Sequence, residues 1–455
     1  MHKTTNKSSQ ANKEYAMTIN NQTVFDADRA HVFHSWSIQS ALKPLIIKSG
    51  LGSYLWDYEG KRYLDFSSQL INTNVGHQHP KVIAGIKTQL DTLTTIAPAT
   101  ANHARNEAAE RLLAIAGDDF AKVFFTNAGA DANENAIRMA RLYTGRDKVL
   151  SSYRSYHGNT GAAIAATGDT RRVPNEYSRG HVHFFSPYLY RSDFWATDEA
   201  QECERGLQHL RRVIEAEGAS SIAAILLEAL PGTAGVLVPP SGYMQGVRQL
   251  CDEFGIVLIM DEVMAGFGRT GKWFAHQHYN ITPDLITFAK GVNSGYVPAG
   301  GVIIHQKINA YFDDKSFPGG LTYSGHPLAM ASIVATLDVM AQEHMIENAD
   351  TIGNGVLAQG LKALADKHTI IGEVRGMGVF WALELVKNRH SKQKLSADEM
   401  NTIKAALIER GLLPFIAENR IHVAPPCNVS TDEVAQALAI VDEVLGMACT
   451  QFINE

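Results

Sequence analysis

Long apolar runs are missing from this chain. No stretch approaches the roughly 20 residues that a membrane span requires. The N-terminal MHKTTNKSSQANKEYAMTINNQ lacks the apolar core of a secretory signal. It is basic and polar without an arginine, which disfavours a transit peptide and leaves a mobile tail over residues 1–24 as the expectation. Cysteine is scarce: Cys203, Cys251, Cys427 and Cys449 are the four, widely spaced and with no C-x-x-C pair. That excludes a disulfide framework and a zinc ribbon, and points to a reducing compartment, here the cytoplasm. Blocks of like charge are absent too. With 41 Lys+Arg against 47 Asp+Glu, the net charge of −6 favours neither nucleic acid nor an anionic membrane. No internal repeat is found. What remains is ordinary globular composition, 45% hydrophobic and 19% charged. At 455 residues it exceeds one compact core, so two domains are expected.

The most informative stretch is GIVLIMDEVMAGFGRTGKWFAHQHYNITPDLITFAKGVNSGYVPAG, Gly255 to Gly300. It holds two short apolar runs, each ending in one ionisable residue. Ile256–Met260 leads into Asp261, and Leu285–Ala289 leads into Lys290. Such runs suit strands buried on both faces of a parallel sheet. Ligands of open α/β sheets collect outside the carboxyl ends of the strands, so Asp261 and Lys290 face one crevice. A partly desolvated lysine there can form a Schiff base with a carbonyl, and a carboxylate can hold a pyridinium nitrogen protonated. The competing reading is two ordinary strand-end charges.

A β-hairpin is predicted from Tyr54–Trp56 and Arg62–Phe66 around Asp57-Tyr58-Glu59-Gly60, and helices after His79-Pro80 and over Asn106–Ala116. Lys122–Thr126 is a strand, and the turn Asn127-Ala128-Gly129-Ala130 opens a helix. Asp131 and Glu134 resemble a capping box there. A small-residue turn at a helix start offers free amides and a positive dipole end to a phosphate, or is simply tight. The strand Lys148–Tyr153 delivers Tyr156 and His157 to the same rim. His181–Glu204 reads as an aromatic loop region, followed by a helix over Cys203–Ala216 and a strand Ile222–Leu227 that ends in Glu228. Met244–Phe254 is a helix and Gly301–Ile304 a strand. The alternation from Lys122 to His305 marks a doubly wound α/β domain. A long helix over Leu328–Ala341 precedes a smaller α+β domain, to which the N-terminal hairpin can add strands. The expected division is a tail over 1–24, a segment over 25–75 joining the small domain, a large domain over 76–335 and a small one over 336–455.

Two motifs compete. Gly266-Phe267-Gly268-Arg269-Thr270-Gly271 matches G-x-G-x-x-G after a strand, the mark of a nicotinamide dehydrogenase, yet leaves little room for the helix that must open at the glycines. Three H-x-H pairs, His77/His79, His181/His183 and His276/His278, could suit a metal, but no carboxylate constellation accompanies them, and no metal site is predicted.

Several spaced motifs together resemble the class III pyridoxal-phosphate aminotransferases of fold type I. They are Thr126 to Glu134 (TNAGADANE), Tyr156-His157-Gly158, Leu258 to Val263 (LIMDEV), Gly266 to Gly271, Pro283-Asp284, Ala289-Lys290-Gly291 and Thr322 to Pro327 (TYSGHP). The resemblance runs from about Phe33 to Pro426. It implies pyridoxal 5'-phosphate as cofactor, with Lys290 forming the Schiff base and shuttling the proton, and Asp261 pairing with the pyridine nitrogen. It implies that Tyr156 stacks on one ring face and Val263 packs on the other. Gly129 and Ala130 would hold the phosphate, with His157 and Glu228 also at the cofactor, Glu228 on the ring hydroxyl side. Thr322 would reach the phosphate of the neighbouring subunit, which implies a homodimer with shared sites, or a tetramer of such dimers. Trp36, Arg375 and Phe415 fall at substrate positions. Trp36 could equally be a core residue, and Arg375 binds a substrate carboxylate in some members and is structural in others. The chain departs from the family at Ala130 and Asp131, where serine and glutamate are common. Met264 replaces a glutamine of ornithine-type members, and Phe415 stands where some amine transaminases place a mobile arginine. Carboxylate recognition would then fall to Arg375, Arg420 or elsewhere. The branch resembled most is the ω-amino acid:pyruvate or taurine:pyruvate one, with an amine donor and a keto acid, pyruvate, reacting in turn. An aminomutase or a decarboxylase of the same class is the alternative.

Overall fold

The computed structural model describes residues 19–175 and 178–453. Its largest sheet has seven strands in the order Phe120–Thr126, Gly300–His305, Leu285–Phe288, Val257–Asp261, Ile222–Leu227, Lys148–Ser152, His181–Phe184. The last five are mutually parallel. Gly300–His305 runs antiparallel to both of its neighbours. Ile222–Leu227, Val257–Asp261 and Leu285–Phe288 are buried along their whole lengths, because helices cover both faces of a parallel sheet. From Lys148–Ser152 the chain adds His181–Phe184 on one side and then Ile222–Leu227 on the other. That reversal opens a crevice at the carboxyl ends of the two diverging strands.

Two smaller sheets flank this one. Ser49–Leu51, Tyr54–Trp56 and Arg62–Asp65 are joined by Leu412–Leu413, which pairs parallel with the third of them, Leu412 opposite Leu64. The other contains Ile371–Met377, Phe380–Asn388, Arg420–Val423 and Phe415–Ala417, all antiparallel. One apolar cluster runs from Leu64 and Phe66 through the helix Pro327–Gln342 to Val441 and Leu445, so both ends of the chain share a core.

The N-terminal expectation needs correction. Residues 1–18 of the expected tail lie outside the described residues, and the helix Asn21–His31 begins inside the stretch assigned to the tail. It has no buried residue and hence no apolar period. Its start is fixed by polar contacts: Asn20 Oδ1 accepts from the Thr23 amide at 2.9 Å, and the Asn20 amide donates to Thr23 Oγ1 at 3.0 Å. The aromatic segment also differs from expectation. His181–Phe184 is the edge strand of the large sheet, and the helix that follows starts at Glu199, capped by Asp198, rather than at Cys203. Among the described residues no helix is long and apolar enough to cross a membrane.

Candidate active site

The carboxyl ends of five strands open into one cavity of about 370 Å³, and eight residues singled out in the sequence line it: Gly129, Ala130, Tyr156, His157, Glu228, Asp261, Val263 and Lys290. Lys290 follows Leu285–Phe288 with a left-handed backbone, φ 46°, at the start of a 3-10 turn. Loss of hydration lowers the pKa of its ammonium, and the nearby Glu228 and Asp261 oppose that shift. A lysine so placed gives up its proton more readily than one in water, as a nucleophilic amine requires.

Asp261 closes Val257–Asp261 and is 3% exposed. Its Oδ2 accepts from His157 Nδ1 and from Asn133 Nδ2, each at 2.8 Å, and its Oδ1 accepts from the Val263 amide at 3.0 Å. The carboxylate fixes the imidazole tautomer with the proton on Nδ1.

Glu228 ends Ile222–Leu227 and is buried. Its Oε2 accepts from the Gly232 amide at 2.9 Å, while Oε1 has no protein partner. Burial first, and the charge of Asp261 second, push its pKa up to about 7. The folded apoprotein therefore holds a proton that the unfolded chain, with a carboxyl near 4.5, has already released. Stability from this group is present below pH 4.5 and is lost as pH rises through about 7. At about 1.4 kcal/mol per pKa unit, the loss is on the order of 3 kcal/mol. Chemical denaturation of the apoprotein at pH 5 and pH 8 should show this decline, and Glu228→Gln should flatten it. An equal decline in the variant would assign it to other groups.

The helix Gly129–Thr144 begins at the cavity wall, and no side chain caps it. Its first amides and dipole are thus free for an anion. Two glycines permit this approach. A Cβ on Gly129 would lie 2.9 Å from a Val263 methyl. One on Gly158, at φ 133°, would lie 2.6 Å from Ala130 Cβ. The expected Asp131–Glu134 capping box is absent because the helix starts two residues before Asp131. Glu134 instead accepts from Thr160 Oγ1 and from the Ala162 and Ala163 amides, capping the next helix, Gly161–Ala166.

One residue here was not singled out in the sequence. The Arg171 guanidinium lies 3.8 Å from the centroid of the Tyr156 ring, and the Trp36 ring meets Tyr156 edge-on at 6.4 Å. Arg171 is held by Asp169 and is close enough to Lys290 to depress its pKa. It sits in a short 3-10 segment, Thr170–Asn175, with no motif around it; the pair Arg171-Arg172 was its one visible mark. Trp36 itself is 65% exposed, so it is not a core tryptophan.

Four further candidates lie off the cavity. Arg375 is paired with Glu373 and Glu384 and donates from Nε to the Gly235 carbonyl. Arg420 pairs with Glu418. Phe415 packs on His422 at 4.8 Å, and His422 donates from Nε2 to the Gly232 carbonyl. Thr322 is exposed in the loop before the helix Pro327–Gln342. The glycine fingerprint makes a tight turn instead of a helix start: the Gly268 amide donates to the Lys272 carbonyl, and a 3-10 turn follows only at Ala275. The H-x-H histidines go to separate partners, His77 to Asp65, His79 to Glu343, His276 to Glu262 and His278 to Thr270.

Residues 37–445 match the family described as aminotransferase class-III. The chain is 41% identical to the taurine:2-oxoglutarate aminotransferase of Bifidobacterium kashiwanohense, solved with pyridoxal phosphate and glutamate, with a TM-score of 0.92 over 95% of this chain and 99% of that one. It is 35% identical to an (S)-enantioselective omega-transaminase from Thermomicrobium roseum, with a TM-score of 0.90 over 95% and 99%. It is 33% identical over 417 residues to the taurine–pyruvate aminotransferase of Bilophila wadsworthia, covering 87% of this chain and 90% of that protein.

Proposed function

The chain belongs to the class III aminotransferases, and from that premise we propose that its donor is a short ω-amino acid with an anionic far end, such as taurine or β-alanine. The protein is a pyridoxal-phosphate-dependent transaminase passing an amino group from a donor to a keto acid. The residues present fit that cofactor: uncapped helix amides for its phosphate, a buried carboxylate for its ring nitrogen and a dehydrated lysine amine share one cavity. When bound, it supplies an electron sink that lets a C–H bond beside the amine be broken.

The protein's own groups then divide the work. Lys290 Nζ anchors the cofactor and afterwards takes and returns the proton of the substrate carbon. Asp261 keeps the ring nitrogen protonated, and His157 and the Val263 amide keep Asp261 in place. The Gly129 and Ala130 amides would bind the phosphate, with Tyr156 and Val263 flanking the ring. Glu228, also at the cavity, would face the ring hydroxyl side.

The observation that carries the donor reading is Arg171, a cation 3.8 Å over the ring of Tyr156, which itself lines the cavity. A sulfonate or carboxylate at the far end of a two-carbon amine would meet it, and the exposed Trp36 would cover the mouth. Arg375, Arg420 and Phe415 are less suited, since none of the three lines the cavity, whereas Arg171 lies over Tyr156, which does. Pyruvate is the acceptor we favour, as named for the Bilophila wadsworthia enzyme. A second reading, 2-oxoglutarate, draws on the similarity to the Bifidobacterium kashiwanohense enzyme.

Taurine, β-alanine and putrescine should be run against each keto acid, with alanine or glutamate scored as product. Arg171→Met should lower kcat/KM for taurine by about 10- to 100-fold, the worth of a hydrogen-bonded charge, and leave putrescine within a few-fold. An equal loss on both donors would remove Arg171 from anion recognition.

A dimer with shared sites fits the exposed Thr322 loop, which lies away from its own chain's cavity and next to Tyr323, 61% exposed. Four unpaired cysteines fit a cytoplasmic location.

A further inference from the structure

Asn133, 1% exposed, lines the inner wall of the cavity from the helix whose first turn opens onto it. Its Nδ2 donates to Asp261 Oδ2 and to the His157 carbonyl, both at 2.8 Å. Its Oδ1 accepts from Thr287 Oγ1 at 2.7 Å, and Thr287 is fully buried in the neighbouring strand Leu285–Phe288. The amide cannot be turned over without setting Oδ1 against a carboxylate and a carbonyl, so its two N–H groups point one way.

The hydrogen-bond inventory of Asp261 follows. A carboxylate has about four lone-pair directions. On Oδ2 both are used, by Asn133 and by His157. On Oδ1 one is used, by the Val263 amide. One acceptor direction is left, on Oδ1. We propose that Asn133, itself oriented by Thr287, is a positioning residue that saturates Asp261 Oδ2 and so directs the remaining lone pair of Oδ1 at the cofactor's ring nitrogen, keeping that nitrogen protonated. The inference rests on the role given above to Asp261. It assigns to an asparagine and a threonine control over how strongly that carboxylate acts. Without the two amide hydrogens, Oδ2 turns toward its one remaining donor, His157, and the carboxylate rotates away from the ring. Charge-assisted hydrogen bonds are the strong ones, and a buried carboxylate holds its orientation only while its donors do.

The test uses the holoenzyme and two cofactors, pyridoxal phosphate and its N1-methyl derivative, whose ring nitrogen carries a permanent positive charge. In Asn133→Leu, with nearly the parent's volume, the cofactor dissociation constant should rise about 10- to 100-fold, the worth of a lost charged hydrogen bond. The absorbance transition that reports protonation of the ring nitrogen should move to lower pH. Thr287→Val should shift both in the same direction by a smaller factor, and the N1-methyl cofactor should return each variant's turnover to near that of the parent loaded with it. A purely structural role would not be corrected by a charge on the cofactor. Asp261→Asn is the reference. If the methylated cofactor restores Asp261→Asn but not the Asn133 and Thr287 variants, the positioning inference fails and the site stands. If it restores none of them, the role of Asp261 fails and takes the inference with it. Should Asn133→Leu not fold, an unshifted spectrum and unchanged dissociation constant in Thr287→Val overturn the proposal by themselves.

Discussion

Replacing Lys290 by alanine is expected to lower transamination by roughly 10⁴- to 10⁶-fold, the range seen when a covalent nucleophile is removed from a site whose other parts survive. The size of the effect follows from the absence of a substitute. Among the described residues, Lys290 is the only lysine that lines the cavity. The charges of Arg171 and Arg269 also act on Lys290, but a guanidinium is no amine nucleophile and cannot take its place. The loss should fall on kcat. On the proposed placement, the phosphate at the helix start and the ring between Tyr156 and Val263 would be held without the amine. Alanine formed from taurine and pyruvate measures the rate, and a melting curve matching the parent's shows that the fold is intact. Borohydride reduction of the parent should fix the cofactor on a peptide containing Lys290 and on no other. A variant that keeps a tenth of the parent rate, or an adduct on a different residue, would remove Lys290 from its role.

Asp261→Ala should cost about 10²- to 10⁴-fold in turnover and weaken cofactor retention as well. Deleting one partner of a buried charged network costs about 3–5 kcal/mol, because its donors are left facing nothing. Three donors face Asp261: His157 Nδ1, Asn133 Nδ2 and the Val263 amide. The imidazole is the most exposed to the change, since its Nε2 already lacks a partner and its ring is shut off from solvent. Steady-state rates and dialysis against a thiol trap for the free cofactor would measure the two effects. A parent-like rate with parent-like retention would mean that the ring nitrogen has another partner.

Much of the cavity lining could be read in advance because it follows buried strands. Asp261, Glu228 and Lys290 each follow a run of four to six buried residues. Such runs are easy to find, and strand ends are where α/β sheets place their chemistry. What could not be read came from long-range or polar contacts. Arg171 reaches Tyr156 across a loop with no period, and Asn133 looks like any helix residue until Asp261, 128 positions later, is folded against it. The Glu134 carboxylate was assigned to its own helix and caps a different one, because its i to i+3 spacing from Asp131 carries no information about tertiary neighbours. The helix Asn21–His31 has no buried face, so a search for apolar spacing passes over it. Arg375 and Phe415 sit at substrate positions by resemblance, yet Arg375 is tied up by Glu373 and Glu384 and Phe415 lies against His422.

Leu64 pairs with Leu412, 348 positions further on, and this has a consequence for how the molecule is made. A ribosome adding about 5–20 residues per second needs roughly 20–70 seconds to travel that distance. During that interval the hairpin Tyr54–Asp65 has emerged with one edge bare, and a bare strand edge invites pairing with other chains. The early product therefore depends on its own late segment, or on a chaperone holding the gap, and removing the last few dozen residues would unseat a structure laid down near the beginning.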